Sequence, residues 1–447
     1  MNIKVKILTF AALIFCALTG LLSCGANQQG GDGETNKTES EVENIMGITP
    51  EYPENIGFDD YRGRREMLDN NIVGQDFMDS VKSFAFTSAS EIFTDPKNNL
   101  KNMGYSPVSL YMALAVASTG AESQTKDEMF SLLEIGGKDK NYLSGQMGNL
   151  FRTLYFSNEI GSLKIANSLW MQEGWRFKSD FTDNAVKNFY SSIYNVDFKD
   201  KNTEKSMGKW VSDNTNGVIE PDIKTNNETI LAILNTVYFK DEWLHKINKD
   251  NTKKDKFYLD GKDGDNYIEC DFMQAYANSY VEGGGFISSE LYLKNNGSMI
   301  FVLPDTGADI IGLLSDWRKF DVIFGYENRR PAQVTFKIPK FSYGNKIELT
   351  DVLKSLGMEK AFDKDLADFS AMSEDPAFIS DVKQEVHVAI DEKGVEAAAF
   401  TSVMMEGGGM PPEIFIDINL NRPFIYFITD RGGVILFMGV IYNPAEN

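Results

Sequence analysis

The residue types that most often carry catalysis or bind metals are scarce in this chain of 447 residues. It has two histidines, His245 and His387, and three cysteines, whereas a zinc site needs three or four such ligands. The sequence contains no G-x-S-x-G nucleophile elbow, no Walker loop and no G-x-G-x-x-G turn after a strand. Its 65 acidic residues show no spacing that selects an acid–base pair. The sequence therefore predicts neither an enzyme nor a bound metal or cofactor.

Cys270 and His387 fit structural roles better than chemical ones. Cys270 lies in YIECDFMQ, which alternates like a strand, and this pattern predicts a small buried side chain rather than a nucleophile. His387 alternates with Val386 and Val388 in the same way, which predicts a packed or solvent-facing histidine in a strand.

The segment DEKGVEAAAFTSVMMEGGGMPPE, residues 391–413, is the stretch whose residue types suggest a specific function. Read with the period of two of a strand, one of its faces is small, uncharged and partly β-branched, and so suits burial. That face consists of Val395, Ala397, Ala399, Thr401, Val403 and Met405, and the other of Glu396, Ala398, Phe400, Ser402 and Met404. Alanine and glutamate also favour a helix. The segment is thus compatible with two states, and Gly394 provides a hinge.

Strand-like stretches flank this segment, EVHVAID before it and EIFIDIN after it. A soft, glycine-tipped loop between two strands is a typical site of proteolytic cleavage. The same residues are also compatible with a long surface loop filled with alanine.

Composition limits the partners and the fold class. Hydrophobic residues make up 42% of the chain, enough for a sizeable core. The formal net charge of −21 argues against nucleic acid and against electrostatic binding to anionic lipid.

Helical and strand patterns are mixed, which predicts an α+β protein. SPVSLYMALAVAS predicts a buried helix with Ser106 as its cap and Gly120 just beyond its end. VTFKIPKFSY, residues 334–343, predicts one half-buried strand, and two apolar runs over 423–428 and 434–442 predict a hairpin of central strands.

The start of the chain has the features of an export signal. A basic start precedes an apolar stretch over residues 7–22, as in a secretory signal peptide. Leu21-Leu22-Ser23-Cys24 resembles the lipobox of bacterial lipoproteins. That resemblance implies a signal peptide over residues 1–23, lipid on Cys24, and export to the cell envelope or surface or release outside the cell. An ordinary signal peptide is the alternative.

Residues 24–71 are polar, acidic and rich in glycine, asparagine and glutamine, which predicts a flexible tether. Globular patterning begins at residue 72, so the predicted domain is 72–447. Once Cys24 is lipidated, Cys270 is the one thiol of the folded part, and no internal disulfide is expected. Membrane contact is expected only through the lipid.

Several stretches of the sequence resemble the motifs of one protein family, and they occur in that family's order. DEKGVEAAAFTS is similar to the hinge of the serpin reactive-centre loop, and NRPFIYFITDRGGVILFMGVIYNP is similar to the closing strands. Five earlier stretches also resemble family signatures: YSPVSLYMALAVASTGAESQT, NSLWMQEG, KWVSDNTNGVI, LNTVYFKDEWLHKI and FVLPD. The resemblance to this family, the serpin family of protease inhibitors, covers nearly the whole chain from residue 72 onward.

The resemblance implies three β-sheets, eight or nine helices and an exposed loop, about residues 392–413, that inserts into the main sheet. It also implies suicide inhibition by a monomer. A target protease attacks the loop and forms an acyl-enzyme; the freed loop then inserts as a strand and distorts the covalently trapped protease. A non-inhibitory serpin that acts as a surface binding module is the alternative.

Two groups of residues match positions that serve this mechanism in the family. The hinge matches Glu392, Gly394, Val395, Glu396, Ala397, Ala398, Ala399 and Thr401. The region that opens to admit the loop, where a buried hydrogen-bond network is expected, matches Ser106, Ser109, Asn235 and Trp243. Gln384 stands where the family often has histidine. An amide can still donate and accept, which implies retained function with an altered pH response.

The family's loop spacing puts the scissile bond at Gly408–Gly409, although glycine offers a protease pocket little to bind. Met404, Met405 and Met410 are alternatives with better side chains. No lysine or arginine occurs from residue 394 to 421, so trypsin-like proteases, which need a basic residue, are not expected targets. Elastase-, subtilisin- or papain-like proteases remain.

Overall fold

The computed structural model describes residues 47–98, 100–225, 229–295, 297–395 and 414–446, all of which lie in one compact unit, Val42–Asn447. None of the helices in these ranges is long and apolar enough to cross a membrane. The predicted signal peptide and Cys24 lie outside the described residues. The α-helices are α1 Tyr61–Asn70, α2 Gln75–Thr94, α3 Pro107–Thr119, α4 Ser123–Leu132, α5 Lys140–Leu154, α6 Ser179–Phe189, α7 Lys201–Asn214, α8 Ile310–Leu314 and α9 Thr350–Ser355.

The strands are distributed along the whole described chain. Those of the first sheet are β1 Gly47–Ile48, β3 Phe156–Ser157, β4 Ser162–Gln172, β5 Ser191–Val196, β6 Leu231–Glu242, β12 Phe341–Glu348, β13 Lys383–Ile390 and β14 Gly394–Val395. Those of the second are β2 Met103–Tyr105, β7 Lys253–Tyr258, β8 Tyr267–Gly283, β9 Phe286–Tyr292, β10 Ser298–Pro304, β11 Arg330–Pro339, β15 Phe415–Asn419, β16 Phe424–Thr429 and β17 Ile435–Ile441.

The first sheet has the order β1-β5-β4-β6-β14-β13-β12, with β3 paired to β4. The second has the order β15-β11-β8-β9-β10-β16-β17-β2, with β7 paired to β8. Strand β8 belongs to two parts of this second network, because most of it pairs with β7 and β11 whereas only Val281–Gly283 pair with β9. Counting those parts separately gives three sheets. With the nine helices of the described ranges, this confirms the predicted α+β class.

Helix α3 lies in the core and packs against both β6 of the first sheet and β17 of the second. Nearly all its side chains are buried, as expected for a helix that is apolar on every face. It begins after Ser106 and ends before Gly120, as predicted. The Ser106 side chain does not cap it, however: the hydroxyl donates to the carbonyl oxygen of Leu436 at 2.7 Å.

The predicted strand over residues 334–343 is wrong in its extent. The chain leaves β11 at Pro339 and enters β12 at Phe341, and these two strands lie in different sheets. The change of direction is at Lys340, whose backbone N–H donates to the carbonyl oxygen of Asp271. Both Ile338 and Phe341 are buried, so the hydrophobic pattern does not reveal a change of sheet between them.

Part of the segment predicted to be a flexible tether is folded. Strand β1 pairs with β5 at the edge of the first sheet, with Gly47 opposite Tyr194. Tyr52 stacks on Tyr155 with ring centroids 5.3 Å apart, and Phe151 lies 6.2 Å away. Helix α1 follows. The boundary predicted at residue 72 is therefore too late, because burial of a single aromatic ring against a distant helix leaves no trace in local composition.

Replacing Tyr52 by alanine tests this attachment. Tyr52→Ala should lower the free energy of unfolding by about 1–3 kcal/mol, since it removes an aromatic ring from a packed cluster. Urea unfolding measures the change. The control is Tyr61→Ala, because Tyr61 is 70% exposed and its loss should change stability by less than about 0.5 kcal/mol. Equal stability of the two variants would contradict the packing of Tyr52.

Candidate functional site

The first sheet is open along the line between β6 and β13. Among the described residues, these strands are joined only through β14, which has two residues, Gly394 and Val395. Gly394 pairs with Glu242, and Val395 pairs with Asp241 on one side and Ile390 on the other. Beyond this end, no described strand pairs with the facing edges of β6 and β13.

A cavity of about 480 Å³ follows this opening. Its walls include Leu231–Val237 of β6, Lys383–Val386 of β13, Ser106 and Ser109 at the start of α3, and Val211 of α7. The opening is thus covered by helices on both faces of the sheet. The backbone groups of the two strand edges face each other across it, which is the arrangement that admits an additional strand.

Gly394 lies where only glycine fits. A Cβ atom at this position would be 2.0 Å from the carbonyl oxygen of Asp241 and 2.8 Å from the Cα atom of Glu242. Both atoms belong to the backbone of β6, so neither can move aside as a side-chain end could. The predicted role of Gly394 as hinge therefore has a steric basis: the chain enters the sheet by direct contact with β6.

Glu392 holds the chain just before the hinge. Its side chain is 8% exposed; it accepts hydrogen bonds from Lys340 Nζ at 3.0 Å and from Thr252 Oγ1 at 2.8 Å. Burial alone would raise the pKa of this carboxyl group, but hydrogen bonds to the backbone, Lys340 and Thr252 outweigh it and hold the pKa below its usual value. Glu392 therefore stays ionised and paired.

Trp243 supports the same turn. Its ring is buried, and its indole Nε1–H donates to the carbonyl oxygen of Asp391 at 2.8 Å. Its backbone N–H donates to the carbonyl oxygen of Lys393 at 2.9 Å. The residue predicted to lie at the entry point of the loop thus contacts the turn that delivers the hinge.

The predicted opening residues form two separate hydrogen-bond groups, and both include α3. Ser109 Oγ donates to Asn235 Oδ1 on β6. Ser106 binds Gln384 on β13 twice: its backbone N–H donates to Oε1 at 2.8 Å, and its carbonyl oxygen accepts from Nε2 at 2.9 Å. The helix therefore anchors each strand that flanks the opening, and no side chain is needed to bridge the opening itself.

Sequence reasoning missed Asn167, which extends the first group. Asn235 Nδ2 donates to Asn167 Oδ1 at 2.5 Å, and Asn167 Nδ2 donates to the carbonyl oxygen of Phe189 at 2.7 Å. Asn167 lies in NSLWMQEG, one of the stretches that carry the family resemblance, which was a usable signal. Lys340 and Thr252 were also missed, and nothing local marks them.

The remaining predicted site residues lie outside the described residues. They are the scissile-bond candidates Gly408, Gly409, Met404, Met405 and Met410, and the hinge residues Glu396, Ala397, Ala398, Ala399 and Thr401. Val395, the first residue of the face predicted to be buried, is described, and it is 3% exposed.

The surroundings of Cys270 and His387 fit structural roles, as the sequence pattern predicted. Burial, together with the nearby carboxylates of Asp271 and Asp255, raises the pKa of the Cys270 thiol to about 12, so the thiolate needed by a nucleophile does not form near neutral pH. His387 is half-buried in β13 with Nε2 3.4 Å from Ser342 Oγ, and burial lowers its pKa.

Comparison with known proteins identifies the family. The sequence profile described as "Serpin (serine protease inhibitor)" matches residues 79–444. The chain is 31% identical over 383 residues to serpin-Z1A of Triticum aestivum, covering 81% of this chain and 94% of the relative. It is 28% identical over 398 residues to an uncharacterized serpin-like protein of Methanosarcina mazei, covering 84% of this chain and 89% of the relative.

A solved structure agrees with this assignment. The crystal structure of tengpin, a thermophilic serpin, in the native state matches with a TM-score of 0.73 at 27% identity, covering 89% of this chain and 97% of that one. The chain belongs to the serpin family, as the sequence motifs predicted. Serpins are protease inhibitors rather than enzymes.

Replacing Gly394 by alanine tests the steric basis of the hinge. Gly394→Ala should displace the hinge from β6, so the backbone amides of Trp243 and Val395 should lose protection against hydrogen exchange by about tenfold or more. Peptide-resolved mass spectrometry measures this loss. The matched control is Gly145→Ala in α5, where a Cβ atom meets nothing within 4 Å, and hinge protection should stay unchanged. Equal protection in both variants would contradict the contact.

Proposed function

We propose that this serpin inhibits proteases as a suicide substrate. The protease's serine oxygen or cysteine sulfur bonds to the carbonyl carbon of the residue before the scissile bond. The peptide C–N bond breaks, and the new amino terminus leaves with a proton. The loop, still esterified to the protease, then inserts between β6 and β13. The observation that carries this proposal is the two-residue hinge strand already seated between two strands whose facing edges pair with no other described strand.

The register of the hinge strand supports insertion of the rest of the loop. Val395 lies opposite Asp241 on β6 and opposite Ile390 on β13, and both pairings are antiparallel. If the strand continued without a bulge, each step forward along the loop would be one step back along both neighbours. Alternate side chains would then follow Val395 toward the core.

In this continued register, the polar inward residue of the loop would face polar side chains of the two strands, and the small inward residues would face apolar ones. Thr401 would lie opposite both Asn235 and Gln384, the two side chains that α3 anchors. Ala397 and Ala399 would lie opposite apolar residues of both strands. The only hydroxyl among these inward residues would thus reach the only polar pair along the way, and its partners would satisfy it on burial.

Insertion would also supply strand partners along the two edges, which pair with no described strand beyond β14. Both edges of the opening carry N–H and C=O groups, and each new ladder hydrogen bond would contribute about 0.5–1.5 kcal/mol. From Glu392 to Pro411 the extended chain would span roughly 60 Å. The proposed trapping step requires a loop of this length and new ladders of hydrogen bonds to both strands.

The loop sequence supports a target class. Because residues 394–421 contain no lysine or arginine, we propose elastase-, subtilisin- or papain-like proteases as targets, with cleavage at Gly408–Gly409 or beside one of the methionines. We further propose that the chain acts as a monomer, exported and held at the cell envelope by lipid on Cys24. The lipobox-like Leu-Leu-Ser-Cys supports that location.

Mixing the protein with pancreatic elastase, subtilisin and a papain-like protease tests inhibition directly. We expect a covalent complex that survives denaturing gels, and a released peptide whose first residue, read by mass spectrometry, is 409. A peptide starting at 405, 406 or 411 would move the cleaved bond to a methionine. Cleavage by every protease without a stable complex would refute inhibition and favour a surface binding module.

Two neighbouring substitutions test insertion in the proposed register. Thr401→Glu would bury a charge between Asn235 and Gln384, so it should reduce the fraction of cleaved chain that ends as complex by about tenfold or more, equivalent to 1.4 kcal/mol. Ser402→Glu is the matched control, since its carboxylate would point to the opposite face of the sheet, beside Lys383 with which it can pair, and should reduce that fraction much less. The fraction is measured on denaturing gels. Equal effects of the two substitutions would refute the register.

A further inference from the structure

Asp241 is a buried carboxylate for which the proposed inhibition mechanism has no use. Its side chain is fully buried in β6. The carboxylate accepts three hydrogen bonds: Asn295 N–H donates to Oδ2 at 2.9 Å, Asn295 Nδ2 donates to Oδ1 at 3.0 Å, and Glu242 N–H donates to Oδ1 at 2.9 Å. All three donors are neutral, and no cation among the described residues forms an ion pair with this carboxylate.

The hinge strand pairs directly with Asp241. Val395 lies directly opposite Asp241 in the register, and facing residues of paired strands have neighbouring side chains. Val395 is itself 3% exposed. On the other side, Gly161 approaches so closely that a Cβ atom there would lie 3.1 Å from the Cα of Asp241. Withdrawal of the hinge would therefore remove a paired strand that helps to keep water from this group.

The charges around Asp241 do not neutralise it. On its own strand, the neighbouring Glu242 is paired with Lys294 at 2.6 Å. On the hinge side, Glu392 is paired with Lys340, and Lys393 is exposed. The other charged groups of the adjoining segments are Lys240 on β6, Asp391 before the hinge and Glu159 in the turn before β4. Burial raises the pKa of Asp241 to about 7; Glu242 acts in the same direction, and the hydrogen bonds oppose both.

We propose that Asp241 is a proton-operated switch for the hinge: the inserted Gly394–Val395 strand binds a proton on this carboxylate, and withdrawal of the strand releases it. The proposal concerns the resting molecule and does not require that the chain traps a protease. In this proposal low pH favours insertion of the hinge, which lies where the rest of the loop would enter the sheet.

The direction follows from linkage. The inserted state binds the proton more tightly than the withdrawn state, in which Asp241 is hydrated and its pKa returns toward the usual value near 4. Above pH 7 both states are ionised and the equilibrium is constant. As the pH falls from 7 toward 4, only the inserted state takes up the proton, so insertion gains up to tenfold per pH unit.

Hydrogen exchange of the full chain between pH 8 and pH 5, corrected for intrinsic exchange rates, measures this equilibrium. The protection of the Trp243 and Val395 amides should be constant above pH 7 and should rise by about tenfold per pH unit below it. Asp241→Asn should abolish the slope. The overall protection of these amides should also fall in this variant, because the amide nitrogen of the new side chain would face the Asn295 N–H. The readout is therefore the dependence of protection on pH and not the amount of protection at one pH.

Two controls separate Asp241 from other ionisable groups of the chain. Asp430 is a second buried carboxyl group whose pKa burial raises to about 6, but it lies in the β16–β17 turn. His245 is exposed and follows Trp243 by two residues. Asp430→Asn and His245→Gln should both keep the wild-type slope. Loss of the slope in either variant, or its absence in the wild type, would overturn the proposal.

A further variant covers the case in which Asp241→Asn fails to fold. Asn295→Ala removes the side-chain donor to the carboxylate and leaves both backbone donors, the N–H groups of Asn295 and Glu242, in place. Since that hydrogen bond favours the ionised form, the onset of the slope should move to higher pH. An unchanged onset in a folded Asn295→Ala protein would count against Asp241 as the titrating group, because a purely structural role would change protection without moving the onset.

Discussion

Two strand edges that face each other without pairing are the constraint on which this structure depends. In the part of the chain that is described, β6 and β13 share only the two residues of β14, although they lie side by side in one sheet. Unpaired backbone groups within a covered sheet are a source of free energy that a further strand can release. A chain that carries such a strand in its own loop is poised between two states.

The surroundings of the opening keep it available. Helix α3 binds β6 through Ser109 and β13 through Ser106, so each strand has its own anchor. At the hinge end, Glu392 and Trp243 fix the turn before Gly394, and the absence of a Cβ atom lets the backbone enter. The proposed insertion would thus be guided at its start.

The two proposals act on the same few residues at different stages. Protease trapping uses the free energy of filling the opening after cleavage, whereas proton binding by Asp241 biases the first pairing before any protease arrives. Both depend on Val395, which begins the face of the loop that is predicted to be buried and lies opposite Asp241 in the sheet. A titratable group opposite Val395 would couple the pH around the molecule to the pairing of this residue, and all later pairing of the loop would follow from that step.

The sequence by itself determined the α+β class, the family, helix α3, the final hairpin and the alternation that begins at Val395, because each depends on local periodicity or on ordered motifs. Tertiary structure alone decided that residues 334–343 divide between two sheets, that Tyr52 is anchored, and that Asp241 lies under the hinge. Periodicity records which side of an element is buried. Periodicity does not indicate which distant segment of backbone lies beside that element. The opening, the contact at Gly394 and the proposed proton site all depend on such neighbours.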